Sequence, residues 1–179
     1  ELPNYRLPSF KSVVLLMWEK AKDFLTRAFT VIFMATVIIW FMQTFDTRLN
    51  VVENSADSIL AALGRLVSPI FAPLGFGDWR MVTALVSGFT AKEAVVSTFG
   101  VILGVSTEQL GIALHSLFTT ASAASFLAFC LLYTPCVAAV STIKTELKSG
   151  WKTVGIVFAQ CLVAWLAAFM VYHVGLLLT

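Results

Sequence analysis

Three residues in this chain carry chemistry into surroundings that are otherwise apolar: Lys92, Glu93 and Cys136. Glu93 falls about midway along a hydrophobic stretch, where an ionisable group costs at least a few kcal/mol on insertion scales and must face a partner or an aqueous path. Its carboxylate could serve as a cation ligand or a proton relay. It could equally form a structural pair with Lys92, Arg65 or Arg80 that does no more than lock the protein together. Lys92 and Glu93 are adjacent, so on a helix their side chains diverge by about 100° and cannot both face one site squarely. Lys92 is therefore read as a positioning group, not a ligand.

Cys136 closes the run Tyr133-Thr134-Pro135-Cys136. Pro135 has no N–H, which deprives the Leu131 carbonyl of its helical partner and breaks the helix. If a new helix starts here, Thr134 is its N-cap, Pro135 its N1 residue, and Cys136 lies in the first turn, where the positive end of the dipole favours thiolate. A soft ligand beside a freed carbonyl is the kind of ion site that broken membrane helices build, and borderline metals such as Fe²⁺ accept thiolate, imidazole and carboxylate. The alternative is a proline kink with an inert thiol. Cys130 and Cys161 read as packing residues, His115 and His173 as satisfied or solvated histidines, and Trp79, Trp151 and Tyr172 as interfacial anchors.

The elements that hold these residues must be membrane helices. Hydrophobic residues make up 59% of the chain and charged ones 12%, with a mean hydropathy of +0.88; soluble domains run near roughly 45 to 50% and about 25%. The fold class is all-α, a polytopic transmembrane bundle with broken or re-entrant helices and an N-terminal amphipathic interfacial helix. Residues 1–27 read as a linker followed by that helix, with Val13, Val14, Met17, Trp18, Ala21, Phe24 and Leu25 on one face and Lys11, Glu19, Lys20, Lys22 and Asp23 on the other. Residues 28–179 read as one transmembrane domain. Its spans are placed at about 28–46, 79–104, 107–134 and 151–178, with short or re-entrant helices at about 55–74 and 135–147.

Local signals set the boundaries. Asp78 is an N-cap for a helix starting at Trp79, and Ser106 with Gln109 reads as a capping box. Basic residues precede the first span while acids follow it, so the N-terminal side is expected to be cytoplasmic. The linker-like opening suggests a chain that begins inside a longer protein. The formal net charge of +2 gives no case for nucleic acid. No phosphate-binding, zinc-protease or serine-hydrolase motif occurs, so no enzyme is expected.

Several runs taken together resemble the C-terminal half of the membrane domain of the FeoB ferrous iron transporter family. They are Leu2-Pro3-Asn4-Tyr5-Arg6-Leu7-Pro8, Trp18 to Phe24, Phe71-Ala72-Pro73-Leu74-Gly75, Asp78-Trp79-Arg80, Gly88-Phe89-Thr90-Ala91-Lys92-Glu93 and Leu131-Leu132-Tyr133-Thr134-Pro135-Cys136. The resemblance implies a multi-pass protein of the bacterial inner membrane that carries Fe²⁺ as its substrate, with this chain as the second of two gate-like halves. It places Cys136 and Glu93 at or near the path, with Thr134, Pro135, Leu131 and Lys92 in support. It also implies an N-terminal half as partner and a role for GTP only through that half's GTP-binding domain, while leaving a homo-oligomer open. Two other readings stand beside it: a structural or assembly half-module, and a gate-type transporter of another solute such as a nucleoside.

Overall fold

A computed structural model describes residues 9–133 and 136–178, apart from the side chains of residues 27, 28, 107 and 178. The described residues form eight α-helices: α1 Phe10–Thr44, α2 Ile59–Phe71, α3 Trp79–Gly88, α4 Ala94–Leu103, α5 Thr107–Leu117, α6 Thr120–Leu132, α7 Val137–Leu147 and α8 Gly150–Leu178. Short 3₁₀ turns at Ser55–Asp57 and Ala72–Leu74 flank α2. Among the described residues there is no strand, only an isolated bridge between Phe45 and Val51. An all-helical build is what lipid demands, since backbone groups must be paired within the segment.

Helix lengths divide the molecule into two kinds of element. With 35 residues, α1 extends about 50 Å, and α8 with 29 about 43 Å, both longer than a hydrocarbon core of roughly 30 Å. The amphipathic segment and the first span are thus one unbroken helix. By contrast α3 and α4 have 10 residues each, about 15 Å, or half a crossing. Helices long and apolar enough to cross are Phe10–Thr44, Thr120–Leu147 taken as one stretch, and Gly150–Leu177. Two bent pairs, at 103° for α2 with α3 and 80° for α4 with α5, bring the candidate spans to as many as five.

Two expected continuous helices are therefore corrected. The helix expected from Trp79 to about 104 stops at Gly88 and restarts at Ala94, and that expected over 107–134 is divided into α5 and α6. The second division has a visible cause. Thr119 and Ser122 form a reciprocal capping box, with the Ser122 N–H donating to Thr119 Oγ1 (3.2 Å) and the Thr119 N–H to Ser122 Oγ (2.8 Å). The box expected at Ser106 and Gln109 is not made: Ser106 is the N-cap of α5 but its side chain accepts no capping bond. Asp78 does cap α3, accepting the Arg80 N–H at 2.8 Å.

The core is aromatic. Phe76, Phe99, Phe126, Phe129 and Tyr133 are buried with Leu74, Met81, Leu85, Val95, Ala164 and Ala168. Edge-to-face contacts join Phe76 to Phe126 (5.4 Å) and Phe71 to Phe129 (5.1 Å). The most extensive helix pairing is α6 on α8, followed by α2 on α3 and α3 on α4. Small residues make the first possible: Ala121 on α6 lies against Gly175 on α8, and Ser125 Oγ donates to the Ala168 carbonyl at 2.9 Å.

Candidate functional site at two adjoining helix breaks

The break between α3 and α4 is built by local bonding. Thr90 turns its hydroxyl (2.7 Å) and its N–H (3.1 Å) back onto the Ser87 carbonyl, and the Phe89 N–H donates to Val86 O at 3.2 Å. These short-range bonds replace the α-helical ladder and leave the Phe89 carbonyl facing outward. On the far side the Ala94 N–H returns to Ala91 O (2.9 Å) and the Val95 N–H to Lys92 O (3.2 Å), which starts α4.

The second break follows α6, which ends at Leu132 with Tyr133 as its C-cap. Thr134 and Pro135 lie outside the described residues, and with them the expected N-cap and N1 assignments. Cys136 is itself the N-cap of α7, so its expected place within the first turn is corrected by two positions. Its thiol makes no capping bond and is half-buried. The positive end of the α7 dipole still adjoins it.

These two breaks lie against each other. The Val137 N–H, one of the orphan donors at the start of α7, bonds the Phe89 carbonyl at 3.0 Å. Lys92 Nζ donates to the Leu131 carbonyl at 3.1 Å and stands 5.2 Å from the centre of the Tyr133 ring. Tyr133 Oη in turn donates to the Leu85 carbonyl at 3.4 Å, across to α3. Gly88 permits the approach: a Cβ there would collide with Val95 Cγ2 and come within 2.8 Å of Tyr133 Oη. The Leu131 carbonyl, expected to be free for an ion, instead carries the Lys92 ammonium.

Glu93 is exposed at the N-cap position of α4, not midway along a helix, and makes no side-chain capping bond. It lines an open groove between α4 and α5 with Ser97, Gly100, Val105 and Ser106. Lys92 faces a different cavity of about 480 Å³, shared with Phe99, His115, Phe126 and Cys130. The break thus resolves the conflict between two adjacent charges by sending them to different sides. No ion pair holds Glu93 among the described residues; the one ion pair there joins Arg80 to Asp78 at 3.9 Å. Arg65 is occupied elsewhere, bonding the Ala56 carbonyl (2.7 Å) and standing 5.0 Å from the Trp79 ring.

Among the described residues no cluster of three or more His, Cys, Asp or Glu side chains could hold a metal ion. Glu93 and Cys136 accordingly belong to no such cluster among the described residues. Cys130 and His115, read as packing or solvated residues, border the same cavity as Lys92. His173 fits its reading, with Nδ1 2.9 Å from the Phe169 carbonyl. Tyr172, expected at the interface, lays its ring against Gly75. Two residues were missed by sequence reasoning: Ser87, 1% exposed, whose hydroxyl has no partner among the described residues, and Gln160 on α8, whose buried Oε1 has none among them either. A lone amide in a 29-residue apolar helix was the available signal for Gln160.

Paired half-length helices, with their ends turned toward one another inside an apolar bundle, define a polytopic helical membrane protein of the broken-helix type. The chain belongs to the Gate family, whose model, described as nucleoside recognition, matches residues 25–150. It is also similar to proteins named Fe(2+) transporter FeoB. The Staphylococcus aureus (strain COL) protein is 40% identical over 177 residues, covering 98% of this chain and 26% of that protein. The Methanocaldococcus jannaschii protein is 33% identical over 185 residues (99% and 27%), and the Campylobacter jejuni protein 31% over 191 (99% and 31%). The chain thus spans about a quarter of the length of the first of these relatives, aligning with their C-terminal part. No solved structure matches it.

Proposed function

We propose that this chain is the second half of the membrane pore of a ferrous iron uptake transporter of the bacterial inner membrane. The observation that carries the reading is the adjoining pair of helix breaks, joined by the Val137–Phe89 and Lys92–Leu131 bonds. Such breaks concentrate helix ends and unpaired backbone groups where an ion has to shed water. Cys136 at the start of α7 supplies a soft ligand, and Glu93 at the start of α4 a carboxylate; both suit a borderline divalent metal. The names of the similar proteins favour Fe²⁺ as the ion. With no cluster of three ligands among the described residues, the ion is passed along single ligands that the remainder of the transporter completes.

The chain acts as a conduit and performs no chemistry of its own. GTP enters only through an N-terminal GTP-binding domain of the whole protein. The test is ferrous iron uptake by the full-length transporter carrying Glu93→Gln and Cys136→Ala. Selective loss of uptake at normal assembly is expected, and unchanged uptake in both variants would count decisively against the path. A half-module that only scaffolds its partner predicts the reverse, lost assembly without selective loss of uptake. The description of the Gate family keeps a nucleoside in view, and competition of uptake by nucleosides would favour it.

A further inference from the structure

We infer that the end of the molecule where α1 begins and α7 turns into α8 is a docking surface for anionic phospholipid headgroups. Nothing in this surface depends on the path assigned to Glu93 and Cys136. Two basic segments far apart in the sequence meet there. Lys20, Asp23 and Phe24 of α1 border one groove with Thr145 and Glu146 of α7. Lys22 follows on α1, Lys144 and Lys148 stand at the end of α7 and Lys152 in the first turn of α8, and all five lysines are exposed. Glu19, Asp23 and Glu146 are the acids among them. At the other end of α1 the balance reverses, because the connection to α2 carries Asp46, Glu53 and Asp57 against a single Arg48. Lysine and arginine favour the cytoplasmic side of a membrane, so the α7–α8 corner faces the same leaflet as the start of α1.

Helix length sets the depth of these lysines. About twenty residues at a rise of 1.5 Å cover a hydrocarbon core of roughly 30 Å, and counted back from the end of α1 at Thr44 they reach Leu25. Lys22 and Lys20 therefore fall at the level of the headgroups, with Trp18, 69% exposed, beside them. On α8, Trp151 and Lys152 stand just ahead of the apolar run over 154–177 and take the same place, Trp151 being 89% exposed. Tryptophan at that depth anchors a helix in the interface. The ammonium groups are also unclaimed. No carboxylate lies within ion-pair distance of any of the five among the described residues, where the one ion pair joins Arg80 to Asp78. A lysine at headgroup depth without a carboxylate takes a phosphate oxygen. Several together favour lipids whose headgroup is net negative, because a zwitterionic headgroup brings a cation of its own.

The experiment places the full-length transporter in proteoliposomes at low salt with a trace of phosphatidylglycerol or phosphatidylcholine that carries a photoactivatable group in its headgroup region. Crosslinked peptides are then mapped by mass spectrometry. Phosphatidylglycerol should label the peptides that contain Trp18 to Phe24 and Lys144 to Lys152 in preference to phosphatidylcholine. Lys152→Gln should lower that labelling about fivefold, the effect of one basic residue at a charged surface, and 0.5 M salt should do the same to the parent. Replacing Lys144, Lys148 and Lys152 together by Gln should bring it down to the phosphatidylcholine level, while Arg48→Gln, in the turn at the other end, should leave it unchanged. All of these side chains are exposed, and elution like the parent shows that a variant is folded. Equal labelling by the two lipids would overturn the proposal, as would a Lys152→Gln protein that labels like the parent. Absence of lipid labelling at this end, as when a soluble domain of the whole transporter covers it, would overturn it too. Crosslinking needs no transported ion, so its outcome is independent of the uptake test on Glu93→Gln and Cys136→Ala.

Discussion

Helix α6 is held in two different ways, and the contrast separates what is fixed in this protein from what can move. Along its length it lies on α8 through Ala121 against Gly175 and Ser125 against Ala168, a close contact of small residues with a side-chain bond. At its C-terminal end it meets the break between α3 and α4 through a lysine, a ring face and a tyrosine hydroxyl. The first contact depends on shape over many atoms, which cannot be altered without repacking. The second depends on a few polar contacts that can be exchanged for water or an ion. A scaffold of long helices therefore carries a set of half-helices whose ends are loosely tied.

That contrast can be broken most severely at Ala168, which is fully buried. Ala168→Leu should force α6 and α8 apart and cost about 1–3 kcal/mol, read as a lower melting temperature of the full-length protein. Gly88→Ala acts at the other contact. Its Cβ meets Val95 and Tyr133, while alanine favours the helix by about 1 kcal/mol, so net stability should move by less than about 1 kcal/mol. Ser125→Ala removes a single bond within the tight interface and should cost only about 0.6 kcal/mol, read as a small fall in the same melting temperature.

The smallest effect lies outside both contacts, in the turn after α1. Asp46 accepts the N–H groups of Asn50 (3.0 Å) and Arg48 (2.7 Å), and the Asn50 bond leads in holding its carboxyl below the ordinary value of 3.8. A depressed value means that the carboxylate's contribution is complete above 3.8 and disappears as pH falls through the lowered value. Hydrogen exchange in the Phe45–Val52 turn should be unchanged from neutral pH to about 4 once corrected for its intrinsic pH dependence, and should quicken only below that. Loosening at higher pH would show that another group holds the turn.

The long helices were legible in the residues, because apolar length acts locally, and so was the start of the short α3, because its N-cap Asp78 does too. The break at Phe89–Glu93 was not. No proline interrupts the run from Trp79 to Leu103, and the device that ends α3 is Thr90 bonding back to Ser87 O, which competes with the helix only once Val137 is there to take the Phe89 carbonyl. A sign was nevertheless present in Lys92 and Glu93, two neighbouring charges that no continuous apolar helix could satisfy together. The division between α5 and α6 had its own sign in Thr119 and Ser122, overlooked in favour of Ser106 and Gln109. The Leu131 carbonyl, read as freed by Pro135, accepts from Lys92 Nζ, brought from 39 residues away by a fold that local pattern does not specify.

The central claim is that the two breaks border a passage for a divalent ion, and anomalous scattering from crystals of the complete transporter soaked with Fe²⁺ tests it most directly. The account predicts an iron peak between the breaks, in contact with Cys136 or Glu93. Iron bound elsewhere, with both side chains facing hydrocarbon or sealed in dry pockets, would contradict it.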